Sequence, residues 1–158
     1  MTRARARGFT LLEILVVILL VGLVAGLAGL AQGDNGGQQA RREAERLGAL
    51  IALLREDAVL GHSQFGLRID TDGYSVQRLE ADGRWRPAPG YRPQQLAPSL
   101  RLRLQRDEHA PVATAGGPQL LVLSSDEISP FTLLLELRGK PQLTLASDGL
   151  EEVRIEAP

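Results

Sequence analysis

The hydrophobic pattern changes regime along the chain. From Ile14 to Ala31 eighteen residues carry no charge, about 27 Å of rise if helical. With Phe9 to Leu12 added, residues 9–31 are long enough for a membrane-spanning helix. The polar stretch QGDNGGQQ, residues 32–39, then breaks the run and reads as a glycine-rich hinge. Beyond it Ala40, Ala44, Leu47, Leu50, Ile51, Leu54 and Ala58 recur every three or four positions, with Arg42, Glu43, Glu45, Arg46 and Glu56 largely between them. That spacing predicts an amphipathic helix over 40–61, stopped near Gly61, whose apolar stripe needs a sheet to cover.

From residue 62 to 158 the period shortens to two. FGLRIDTDGYSVQRL places Phe65, Leu67 and Ile69 on one face, turns at Asp72 and Gly73, and returns through Tyr74 and Val76 as a hairpin. A second Asp-Gly pair, Asp82 and Gly83, opens a proline-rich loop holding Trp85 and Tyr91. SLRLRLQRD alternates strictly, with Leu100, Leu102 and Leu104 inward and Arg101 and Arg103 outward. After the loop APVATAGGPQ come QLLVLSS, PFTLLLEL, PQLTLAS and EEVRIEA, short runs separated by turns that include Gly139 and Gly149. FTLLLEL suits a helix by propensity, but its length and the flanking Pro130 and Gly139 favour a strand. The expected fold class is α+β: a long N-terminal helix on a mostly antiparallel β-domain of two packed sheets.

Charge gives the N-terminal helix a direction. Arg3, Arg5 and Arg7 precede the apolar run and no basic residue directly follows it, which places the N-terminus in the cytoplasm and the domain outside. Without residues 1–8, fifteen basic side chains face nineteen acidic ones, a poor balance for gripping phosphate backbones. Glu13 is the anomaly, a carboxylate inside the greasy run. An ordinary anchor can let it snorkel to the interface. An ordinary secretory signal, with small residues for cleavage at Gly29 to Ala31, accounts for it less well. Gly22 and Gly26 form a GxxxG that admits close helix approach, although glycine is frequent in membrane helices.

The order Gly8, Phe9, Thr10, Leu11, Leu12, Glu13 separates these readings. RGFTLLEILVVILLV closely resembles the type IV pilin class of N-terminus. The resemblance implies that a prepilin peptidase cuts between Gly8 and Phe9 and methylates the new amine. Cleavage there exposes an ammonium on Phe9, four residues before Glu13 and on the same helical face. Glu13 in the first turn also suits the positive end of the helix dipole. In the family, this glutamate meets the N-terminal amine of a neighbouring subunit during assembly, and such a pair supplies register more than raw stability.

Little else in the chain points to chemistry. With no cysteine, disulfides and thiolate metal sites are excluded. His62 and His109 stand far apart without metal-ligand spacing. Asp126 and Glu127 in SSDEIS cluster as calcium ligands do, but a solvated turn between strands is the simpler reading. Arg101, Arg103 and Arg106 make a basic strand face without interleaved aromatics, followed by Asp107 and Glu108. No nucleophile elbow, P-loop or dinucleotide fingerprint is present. The expectation is no enzyme, no cofactor, no metal and no nucleic-acid partner.

The C-terminal half narrows the class. SSDEISPFTLLLELRG followed by LTLASDGLEEVRI is similar to the closing region of the H-type minor pseudopilins of type II secretion systems, and DGRWRP resembles that family's Trp-containing segment. This resemblance implies a subunit near the tip of a periplasmic pseudopilus, anchored in the inner membrane. Its implied partners are the minor I, J and K pseudopilins, the major G pseudopilin and the prepilin peptidase. The alternative is a FimT-type minor pilin of a type IV pilus, which implies DNA capture; the acidic ending EEVRIEAP argues against it. A lone membrane-anchored binding domain is a third reading, and it needs no cleavage after Gly8.

Overall fold

The computed structural model of the chain describes residues 11–31, 35–105 and 116–157. The chain divides into two units, residues 1–35 and 36–158. In the first, helix α1 covers Leu11–Ala31. Every Leu, Ile and Val from Leu11 to Val24 is exposed, so apolar side chains face outward on every side of this part of the helix, with Glu13 its one charged residue. Among the described residues no helix is long and apolar enough to cross a membrane. The side chains of α1 are described from Leu11 to Ala25, about 22 Å of rise, whereas a bilayer's hydrocarbon core is about 30 Å thick.

The second unit opens with helix α2, Asn35–Leu60. Its stripe of Ala40, Ala44, Leu47, Ile51, Leu54 and Ala58 is buried to 1 % exposure or less, and each of the larger members contributes about 1.5–3 kcal/mol by leaving water. The helix starts earlier than the periodicity predicts, so residues 35–39 of the expected hinge are helical. The reason is tertiary: a Cβ on Gly36 would stand 2.7 Å from Leu137 Cδ2, so the glycine lets the first turn sit against the end of a strand. At the other end Ser63 N–H donates to Ala58 O at 3.1 Å and His62 N–H to Val59 O at 3.4 Å, a Schellman closure. The left-handed position is His62, with φ 48°, one residue beyond the expected Gly61.

Among the described residues nine strands follow: β1 Phe65–Asp70, β2 Gly73–Leu79, β3 Trp85–Pro87, β4 Gln94–Gln95, β5 Leu100–Gln105, β6 Leu120–Val122, β7 Phe131–Leu137, β8 Lys140–Ser147 and β9 Arg154–Glu156. One sheet has the order β3-β2-β1-β6 with β4 also paired to β2; the other has the order β5-β7-β8-β9. All the pairs are antiparallel. The α+β expectation of a helix on two antiparallel sheets therefore holds, with FTLLLEL as strand β7. Phe65, Leu67 and Ile69 from the first sheet and Leu100, Leu102, Leu133, Leu135 and Leu145 from the second join the α2 stripe in one core. The sheets meet where Leu102 N–H donates to Thr71 O at 2.9 Å.

Two local readings change. The segment expected to be a proline-rich loop contributes the short strands β3 and β4. Trp85 pairs with Leu79 in register, and a Cβ on Gly66 would lie 3.1 Å from its Cζ3; the missing side chain on Gly66 makes room for the indole. Gly73 was expected in a turn but begins β2, where the Gln94 carbonyl occupies the space of a Cβ. The Asp82-Gly83 turn is as predicted, with Gly83 at φ 75° and Arg84 N–H donating to Asp82 Oδ1 at 3.1 Å.

Candidate assembly site

Glu13 lies in the first turn of α1 and is exposed, as are Leu11, Leu12, Ile14 and Leu15 around it. Negative charge in the first turn of a helix suits the positive end of its dipole. Gly8 and Phe9, the expected cleavage pair, lie outside the described residues, as do His109 and Arg106.

In the second unit the polar contacts of α2 align it on both sheets. Along one edge Tyr74 Oη donates to Glu43 Oε1 at 2.9 Å, the Tyr91 hydroxyl donates to Asp57 and the Arg46 guanidinium donates to Gln94. Burial raises both phenols well above the usual tyrosine range, and the bond to a carboxylate in each case adds to the shift. The Tyr91 ring also meets Phe65 edge-on at 6.0 Å. Along the other edge Arg55 Nε donates to Asp126 Oδ1 at 2.9 Å. Its two remaining nitrogens donate to the carbonyls of Glu151 and Leu150, both at 3.1 Å.

These contacts reassign the residues singled out from sequence. Asp126 adopts φ 69° and serves as counter-ion to Arg55, while Glu127 is an exposed turn residue. Among the described residues no group of three or more His, Asp or Glu could hold a metal. Arg101 donates to the carbonyls of Pro98 and Leu100, and Arg103 lies 3.5 Å from Glu136. Both guanidiniums are thus engaged with the domain itself. His62 closes a helix. Asp148 Oδ1 accepts from Leu150 and Glu151 N–H at 3.1 and 3.0 Å, and these backbone donors, Glu151's first, hold its carboxyl below the usual range.

Residues 3–29 match the family of the prokaryotic N-terminal methylation motif. Over 96% of both chains, the protein is 38% identical to type II secretion system protein H of Pseudomonas aeruginosa. This chain belongs to the type II secretion system protein H family. Another protein H, from Aeromonas hydrophila, is 32% identical over 85% of this chain and 83% of its own. The crystal structure of the minor pseudopilin EpsH from the Vibrio cholerae type II secretion system superposes with a TM-score of 0.64 at 29% identity, covering 77% of this chain and 95% of that one. The solution structure of Escherichia coli GspH, at 22% identity and TM-score 0.60 over 80% and 93% of the two chains, shares the fold. The relatives are thus type II secretion proteins, and EpsH among them is a minor pseudopilin.

Within this protein H the residues that align helix and sheets were not evident from sequence. Arg55 sits in an ordinary alternation of apolar and charged positions. Gln119 is equally silent in the sequence: its side chain accepts from Ile69 N–H at 2.7 Å and donates to Ile69 O at 3.0 Å, extending the β1 ladder beyond the last β6 pair. Neither has a local motif, because each partner is at least fifty positions away in the chain.

Proposed function

We propose that this protein H is a structural, non-enzymatic subunit near the tip of the pseudopilus, linking the minor I, J and K pseudopilins to the major G pseudopilin and supporting protein export through the outer membrane. In this reading a prepilin peptidase removes residues 1–8 and methylates Phe9. Residues 9–31 hold the chain in the inner membrane with its N-terminus cytoplasmic, and the domain of residues 36–158 is periplasmic. Glu13 then aligns incoming subunits by meeting the amine of a neighbour's Phe9.

The observation that carries the reading is the near full-length relationship to protein H joined to a methylation motif over residues 3–29. Glu13 supports the assembly step. It stands in the first helical turn among exposed apolar side chains, surroundings in which an ion pair is strongly directional. The test is co-purification from membranes of the tagged full chain with the other pseudopilins of its system. Wild type is expected to recover them, and Glu13→Leu to insert and be cleaved equally yet recover them at least about tenfold less. Equal recovery overturns the role of Glu13; no recovery by wild type overturns the subunit reading.

A further inference from the structure

A groove of about 610 Å³ runs between α2 and the C-terminal strand. Small residues of the helix, Gly48, Ala49 and Ala52, line one side, and Leu150, Val153 and Ile155 line the other. Leu150 is 71% exposed, unusual for a leucine beside a concave surface that water must fill. The apolar strip continues along the helix: Leu53 follows Ala49 by one turn and Leu60 lies further along the same face, both exposed.

The charges at the groove are unequally answered. Glu45 is held by Arg41 and Asp126 by Arg55, whose guanidinium is also committed to two carbonyls. Glu56 and Glu152 line the groove as well and are exposed. Among the described residues neither has an ion-pair partner. An apolar trough with two unanswered carboxylates repels nucleic acid and anionic lipid surfaces alike. It complements an apolar ridge that carries a cation.

We propose that this groove docks a segment of a neighbouring pseudopilin that presents apolar side chains together with a Lys or Arg. The proposal rests on the subunit reading above for the existence of that neighbour. Residues 48, 49 and 52 lack bulk, so the backbone of an incoming segment can approach α2 closely, while its cation sits between Glu56 and Glu152.

The test uses the full chain in membranes that also contain the other pseudopilins of its system, with a photo-crosslinking residue replacing Ala52. The expected product joins position 52 to an apolar peptide of another pseudopilin that contains Lys or Arg. With Glu56→Lys and Glu152→Lys added, its yield is expected to fall about tenfold at equal protein level. A crosslink only to a second copy of this chain, or to lipid, overturns the proposal, as does an unchanged yield in the double variant. If the tagged chain still recovers the other pseudopilins while position 52 gives no crosslink, the groove is wrong and the subunit reading stands. If it recovers none of them, both fail.

Discussion

Arg55 Nε donates to Asp126 Oδ1 at 2.9 Å, tying the middle of α2 to the turn that follows β6, seventy-one positions along the chain. The two ends of this bridge are not equivalent. The Arg55 side chain is 15% exposed and that of Asp126 is 60% exposed, and only Arg55 holds additional carbonyls.

Arg55→Ala is therefore expected to destabilise the domain by about 1–3 kcal/mol, since it takes the donor from the Leu150 carbonyl and the Asp126 carboxylate and leaves the Glu151 carbonyl with Ser147 Oγ alone. Asp126→Asn keeps an acceptor and tolerates the left-handed backbone, and should cost under about 1 kcal/mol. Urea unfolding of the detergent-extracted chain, followed by its single tryptophan, Trp85, measures both. Equal losses would contradict the asymmetry.

The two tyrosines of the chain both donate to carboxylates of α2. Burial and those bonds raise both phenols, so folding favours the protonated form. The stability they contribute is fully present below about pH 10, the unfolded value, and is lost as pH rises through the raised folded values. Ultraviolet titration of tyrosinate should show ionisation beginning at higher pH in the native chain than in urea. Coincident curves would contradict the two bonds.

Much of this architecture was legible in the sequence, because one-sided burial writes its period into the chain. The stripe from Ala40 to Ala58 and the alternation through Phe65, Leu67 and Ile69 lead directly to α2 and β1. Phe131, Leu133 and Leu135 are buried in β7, and the flanking Pro130 and Gly139 decided for strand over helix. Less legible was what depends on distant partners. Gly36 reads as a hinge residue, and only Leu137, a hundred positions away, explains why it is a packing residue. The strands β3 and β4 are three and two residues long, too short for alternation to register. Of the assembly site, Glu13 is evident as the lone carboxylate of an apolar helix, whereas Glu56 and Glu152 come to line one groove only when α2 and the C-terminal segment close it.

Backbone space and conformation make opposite predictions at two nearby positions. A Cβ on Gly66 would overlap the Pro118 ring, so Gly66→Ala should destabilise by about 1–3 kcal/mol. His62 holds φ 48° as the closing residue of α2, so His62→Gly should stabilise by about 1 kcal/mol. Unfolding midpoints that moved in the same direction for both would contradict this assignment.

The decisive measurement concerns the junction between Gly8 and Phe9. Intact mass is determined on the full chain extracted from membranes in which the prepilin peptidase of its own secretion system is present. A mass that begins at Phe9 and carries one added methyl group is the expected result. A chain that retains residues 1–8 beside active peptidase would contradict the account, because Glu13 would then have no new amine on a neighbour to meet.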